Sequence, residues 1–260
     1  MPPAPTSSPE IEAVLAGWRL CGLPFDDTPR LLRALPGGRT NDSYLIRADG
    51  ERYVLRLGAP DVAALGIDRE REALTLAAAA RAGLAPGMRW VDPVRGWLLT
   101  RFVDGEQRAA RTLDEASLDA LLGRLERVHE LNVDRVPLDY REHYLGFWRR
   151  GGMVGALPQS VGRRLAQLES ACDTGLVHHD PGPGNVIFAD GGPMLIDWEY
   201  AACGYPVFDF ATVVVDWEID ASRVAASTRT PPALLEDACA LYVDLCSWWD
   251  RARRRRSGPY

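Results

Sequence analysis

Asp180 and Asn185 share the loop His178-His179-Asp180-Pro181-Gly182-Pro183-Gly184-Asn185, and Asp197 follows one short apolar hairpin later. Two carboxylates and an amide at this spacing suit a site that holds metal-bound phosphates while drawing a proton from an attacking hydroxyl, the chemistry of phosphoryl transfer. Asp180 would orient the hydroxyl and accept its proton, and Asn185 would bind Mg2+. Asp197 would be the second metal ligand, because hard cations take oxygen donors and Mg2+ usually shares its shell with substrate phosphates. A single loop Asp is most often a turn former. The full set, with the hairpin behind it, points to catalysis.

The elements that must position these residues are legible around them. Proline locks φ and glycine permits positive φ, so residues 181–184 disfavour a helix and favour a tight loop. Val186-Ile187-Phe188 reads as a strand, Asp190-Gly191-Gly192 as a turn and Met194-Leu195-Ile196 as the antiparallel partner that returns Asp197 to Asn185. Upstream, Leu35 is expected to begin a strand that Gly37-Gly38 breaks and Tyr44-Leu45-Ile46 resumes; such a glycine turn lets backbone N–H groups approach a phosphate. Beyond the Asp49-Gly50 turn, Tyr53 to Leu57 forms the next strand. The stretch from Arg69 to Ala82, rich in alanine and leucine and stopped by Gly83 and Pro86, predicts a strong helix. Glu72 in its first turn could reach Arg56, with Glu70 as the competing acid. Leu118, Leu121, Leu122, Leu125 and Val128 give the stretch from Leu113 to Leu131 the period of an amphipathic helix, in which His129 reads as structural.

His178-x-Asp180 with Asn185, then Ile196-Asp197-Trp198-Glu199-Tyr200-Ala201 and Phe208-Asp209-Phe210-Ala211, resembles the choline/ethanolamine kinase and aminoglycoside phosphotransferase superfamily, nearest its bacterial choline kinase and thiamine kinase branch. Pro36 to Tyr44 resembles that family's nucleotide loop, and Ile67 to Glu72 the start of its first-lobe helix. The resemblance implies an α+β, bilobal protein-kinase-like fold: an antiparallel sheet lobe with one helix over residues 10–103, then a mostly helical lobe over 104–250. It implies ATP and Mg2+ as cofactors. Gly37, Gly38, Thr40 and Asn41 would lie on the phosphates, and the backbone of Arg101, Phe102 and Val103 on the adenine edge. Arg56 stands where protein kinases carry a phosphate-binding lysine; a guanidinium keeps the charge and adds bidentate geometry, and Glu72 would hold it in place. His178 and Asp209 would brace the catalytic loop.

The acceptor is less clearly written. Acids outnumber bases between Glu199 and Trp249, with Tyr200, Tyr205, Trp217, Tyr242, Trp248 and Trp249 interleaved. Aromatic faces beside carboxylates suit a cationic alcohol such as choline, ethanolamine or thiamine, although most such rings end in a core. Trp217, Glu218 and Glu199 are the expected acceptor contacts. An aminoglycoside or sugar phosphotransferase is the alternative, and a nucleotide-binding pseudokinase is the alternative from another class.

Composition agrees with a globular chain of 260 residues and net charge −6, which gives no support to nucleic-acid binding. No apolar run has transmembrane length and no signal peptide is recognisable, so membrane insertion is not expected. Five cysteines in no paired metal spacing suit a reducing cytoplasm. Residues 1–9 read as disordered and residues 251–260 as a mobile basic tail. Oligomeric state is not legible.

Overall fold

The computed structural model describes residues 8–36, 41–58, 62–133 and 137–256. Five strands form one antiparallel sheet: β1 (Arg30–Leu35), β2 (Asn41–Ala48), β3 (Glu51–Gly58), β4 (Met88–Asp92) and β5 (Trp97–Arg101), in the order β1-β2-β3-β5-β4. Leu35 ends β1 rather than beginning it, and β2 opens at Asn41; the glycine break expected at Gly37-Gly38 lies outside the described residues. Asp49 and Gly50 both take positive φ, 49° and 78°, in the tight turn between β2 and β3.

Helix α1 (Pro9–Ala16) opens the described chain. The Ser8 hydroxyl accepts from the Ile11 amide, and Ile11 and Val14 pack with Trp18 and Phe25 against Tyr44, Ile46, Leu55 and Leu99 of the sheet. Ser8 and Pro9 are therefore a helix cap and a first helical residue rather than disordered chain, and the first lobe carries a second helix that its proline-rich start obscured. The expected helix is α2 (Arg69–Arg81), its N-terminus capped by Asp68, whose carboxylate accepts from the Glu70 and Arg71 amides at 3.1 and 3.0 Å.

The remainder is mostly helical: α3 (Glu115–His129), α4 (Tyr140–Arg150), α5 (Gln159–Ala171), α6 (Val207–Asp216), α7 (Ala221–Thr228) and α8 (Pro232–Arg256). The five apolar residues read on the stripe of α3 are all buried. Two small antiparallel pairs lie among the helices, β6 (Gly175–Val177) with β9 (Ala202–Gly204), and β7 (Val186–Ala189) with β8 (Gly192–Leu195), the latter being the expected hairpin. The basic run does not leave the fold as a mobile tail: α8 continues to Arg256, Ala252 is buried, and Arg253 and Arg254 both pair with Asp250. No helix among the described residues is long and apolar enough to cross a membrane.

The connection between the lobes is pinned to the second one. Glu106 and Phe188 exchange two backbone hydrogen bonds, 3.1 and 2.9 Å, and a Cβ on Gly105 would lie 2.5 Å from the Phe188 carbonyl oxygen. Only glycine permits that crossing.

Candidate active site

The loop between β6 and β7 is held by side chains it does not contain. Asp209, in the first turn of α6 and fully buried, accepts from the His178 amide at 3.0 Å and the His179 amide at 2.7 Å, while His129 of α3 contacts the same carboxylate at 2.9 Å. Burial alone would raise the Asp209 pKa, but these partners hold it below the usual carboxylate range. The His178 ring then ties the segments of Asp180 and Asp197 together. Its Nε2 donates to the Ile196 carbonyl at 3.1 Å and its Nδ1 accepts from the Asp180 amide at 3.3 Å. These are the contacts that His178 and Asp209, expected to brace the loop, make with it.

Asn185 ends a single 3-10 turn, Pro183–Asn185, and its Nδ2 donates to the Asp180 backbone carbonyl at 3.0 Å and to Oδ2 at 2.8 Å. That spends the amide's donors on Asp180 and leaves its oxygen as the group suited to a cation. The Asn185 carbonyl accepts from the Ile196 amide at 2.9 Å, which brings Asp197 alongside. Asp197 takes a left-handed φ of 61°, and His179 one of 67°. Two non-glycine residues in that sparsely populated region flank the chemistry, as strained backbone often does at sites.

Charge is concentrated here. Burial raises the Asp180 pKa well above its ordinary value, and Asp197, Asp216 and Glu199 add to the effect. Burial and Glu199 push Asp197 up to about 7, against the attraction of Arg56. Asp197 Oδ1 is buried without a hydrogen-bond partner among the described residues, with Arg56 Nη1 at 3.8 Å. An orphaned carboxylate oxygen beside an amide oxygen is a donor set that fits a hard divalent cation. Among the described residues no cluster of three or more His, Cys, Asp or Glu forms a metal cage, so phosphate oxygens would have to complete the shell.

Arg56 of β3 and Glu72 of α2 form the expected pair. Arg56 Nη2 donates to Glu72 Oε2 at 2.8 Å and Nη1 pairs with Oε1, both side chains being buried. Burial opposes both charges, yet each partner's field prevails, raising the Arg56 pKa and lowering that of Glu72. Glu70 stays exposed.

Several expectations need correction. Trp217 and Glu218 do not reach the cavity around Asp180. Trp217 caps the end of α6, fully buried, while Glu218 turns outward with φ 53° and pairs with Arg111. Glu199 lines the cavity but is buried, accepting from Asn41 Nδ2 at 2.8 Å and from Arg69 Nη1 at 3.3 Å. Asn41 is thus committed to side chains of both lobes. Gly37, Gly38 and Thr40 lie outside the described residues. The amides of Arg101 and Phe102 already donate to the carbonyls of Gly87 and Arg52, which leaves Val103 as the expected hinge residue whose amide has no such bond among the described residues.

The cavity holds about 600 Å3. Asp180, Asp197, Glu199, Asp216 and Asp250 contribute acids, and Tyr140, Tyr144, Phe147, Tyr200, Tyr242 and Trp249 contribute rings. The ring edges are partly satisfied among themselves. Tyr242 Oη donates to Asp216 Oδ2 at 2.8 Å and Trp249 Nε1 to Tyr200 Oη at 2.7 Å, whereas the Tyr144 hydroxyl is buried without a hydrogen-bond partner among the described residues. Asp216 and Trp249, present in the sequence as one acid and one ring among many, face Asp180 because α6 and α8 pack together. Their spacing along the chain carries no signal of this.

Residues 31–255 match the family model described as "Phosphotransferase enzyme family". Over 192 residues the chain is 29% identical to protein LicA of Haemophilus influenzae, spanning 68% of this chain and 56% of that protein, so it covers little more than half of that relative's length. Its fold superposes on choline kinase LicA from Streptococcus pneumoniae with a TM-score of 0.75 and 18% identity, over 96% of this chain and 93% of the other. It also superposes on LicA in complex with AMP, with a TM-score of 0.65 and 19% identity over 94% and 91% of the two chains. At those identities the structural likeness is one of fold. The family model covers most of the chain, including every group of the candidate site described above, and the chain belongs to the phosphotransferase enzyme family.

Proposed function

We propose that this protein is an ATP- and Mg2+-dependent kinase that phosphorylates the hydroxyl of a small cationic alcohol of the choline, ethanolamine or thiamine class. One observation carries the choice of acceptor: Asp180 opens into a cavity that also presents Asp216 and the rings of Tyr200, Tyr242 and Trp249. Carboxylates and aromatic faces attract a quaternary or primary ammonium, and a hydroxyl a few bonds from that charge would then meet Asp180. A crystallised LicA that holds AMP supports the adenine nucleotide.

In this reading the nucleotide lies between a first lobe over residues 10–103 and a second from residue 104, which continues through α8. Arg56 and the glycine turn at 37–40 meet the phosphates. Asn185 and Asp197 hold Mg2+, which would neutralise charge on the transferring phosphoryl group. Asp180 takes the acceptor proton. A reducing compartment such as the cytoplasm suits the five free cysteines. The cavity's size and acidity also admit a polyamine, which keeps an aminoglycoside or amino sugar as the second reading.

The test is ADP release from Mg-ATP by purified protein against choline, ethanolamine, thiamine, aminoglycosides and amino sugars, with Asp180→Asn as blank. Stimulation by one of the small alcohols in the wild type alone is the expected result. Stimulation confined to aminoglycosides selects the second reading, and nucleotide binding without transfer to any acceptor selects a non-catalytic binding module.

A further inference from the structure

Arg69 has no part in the chemistry above, yet its guanidinium joins three segments of the chain. It opens α2 with its side chain 8% exposed. Nη1 donates to Glu72 Oε2 at 2.8 Å and lies 3.3 Å from Glu199 Oε2, while Nη2 donates to Asn41 Oδ1 at 2.6 Å. Asn41 closes the ring by donating Nδ2 to Glu199 Oε2 at 2.8 Å. Each partner leads to a different part of the site. Asn41 opens β2, Glu72 grips Arg56, and Glu199 lies two residues beyond Asp197.

A buried arginine among carboxylates could serve only to neutralise them. Charge balance alone does not ask for this geometry, however. Two nitrogens of one planar fork reach into two lobes, and Asn41, which is uncharged, is bonded to both the guanidinium and the acid that the guanidinium also meets. An ammonium carries its donors on one nitrogen and would neutralise the acids without spanning Asn41 and the two acids as the separate Nη1 and Nη2 of the fork do.

We propose that Arg69 is a positioning residue for the nucleotide phosphates. It sets the first residue of β2 through Asn41, Arg56 through Glu72, and the segment after Asp197 through Glu199, so that phosphate-binding groups of both lobes keep one spacing. This rests on the kinase reading above.

The experiment compares wild type with Arg69→Met, Arg69→Lys, Glu199→Gln and the double variant Arg69→Met/Glu199→Gln, each first checked for a cooperative thermal melt. Dissociation constants for a fluorescent ATP analogue with Mg2+ are measured without acceptor, then KM for nucleotide and acceptor separately. Arg69→Met should weaken nucleotide binding at least tenfold and leave the acceptor KM within threefold. Arg69→Lys should fall between. The double variant, whose buried charge is rebalanced, should stay at least tenfold weaker than Glu199→Gln alone. Restoration of nucleotide affinity in the double variant would show that Arg69 only neutralises charge and would overturn the proposal, as would equal rises in both KM values. If neither methionine variant folds, Arg69→Lys decides: an unchanged nucleotide constant overturns the proposal and a severalfold loss sustains it. A wild type that binds no nucleotide would overturn the kinase reading and this inference together, whereas tight wild-type binding with an unaffected Arg69→Met defeats this inference alone.

Discussion

The indole Nε1 of Trp217 donates to the carbonyl oxygen of Pro181 at 2.8 Å, so a ring at the end of α6 holds the backbone immediately after Asp180. The Trp217 carbonyl in turn accepts from the Arg111 amide at 3.0 Å. Replacing Trp217 by Phe keeps most of the packing but leaves a buried carbonyl unpaired, a cost of about 1–3 kcal/mol. Denaturant unfolding should show that loss, and steady-state kinetics should show kcat falling severalfold with the acceptor KM nearly constant. A change confined to the acceptor KM would mean that the ring meets the acceptor after all.

Replacing Asp180 by Asn should cut turnover about 10³-fold, within the usual range for a general base. The fold should not suffer. The substituted amide oxygen can still accept from Asn185 Nδ2, and repulsion from Asp197, Asp216 and Glu199 is relieved. A melting temperature equal to or above that of the wild type is expected. Turnover within a few fold of wild type would remove Asp180 from the base role.

Acceptor recognition is tested by Asp216→Asn and Trp249→Leu. Either should raise KM for a cationic alcohol about tenfold, roughly the effect of about 1.4 kcal/mol of lost cation attraction, without moving KM for the nucleotide. An uncharged analogue of the same shape should lose much less. Equal losses for charged and uncharged acceptors would show that these residues shape the cavity but do not read charge.

His179 donates Nδ1 to the Tyr200 carbonyl at 3.1 Å and accepts from Tyr140 Oη at 2.7 Å, an arrangement that requires a neutral ring, and burial takes its pKa down to about 4. Burial takes His143 down to about 3. An unfolded histidine titrates near about 6.5, so below that pH the unfolded chain binds more protons than the folded one. This contribution to stability is complete above about pH 6.5 and is lost as pH falls toward 4. Asp180 and Asp197, whose pKa values are raised, act in the opposite sense over the same range, so the histidine contribution is read as a difference: between pH 7 and 5 the melting temperature of the wild type should fall relative to that of His179→Asn, which tolerates the left-handed φ. Parallel curves for the two proteins would place the acid sensitivity elsewhere.

Where the sequence was read well, the governing physics was short in range. The turn at Asp49-Gly50, the stripe on α3 and the β7–β8 hairpin follow from φ preferences and apolar period within a few residues. The pairing of Arg56 with Glu72 needed only one strand, one helix and opposite charges 16 positions apart. Misreadings arose where composition stood in for contact. A proline-rich start concealed α1, and an arginine run suggested a free tail although Asp250 and the buried Ala252 hold it to α8.

The sequence by itself determined the loop from His178 to Asn185, because proline, glycine and the interval from Asp180 to Asn185 restrict the backbone locally, and it determined the hairpin that returns Asp197. Only the tertiary structure decided which polar edges meet. Glu199 bonds to Asn41 across 158 positions and to Arg69 across 130, and Trp217 turns from the expected acceptor wall to the Pro181 carbonyl. The reason is that periodicity reports which face of a helix is buried but not what lies opposite that face. The opposing groups are chosen by the packing of α2 against the second lobe and of α6 against α8, where a buried polar atom must find its partner among whatever the rest of the fold supplies.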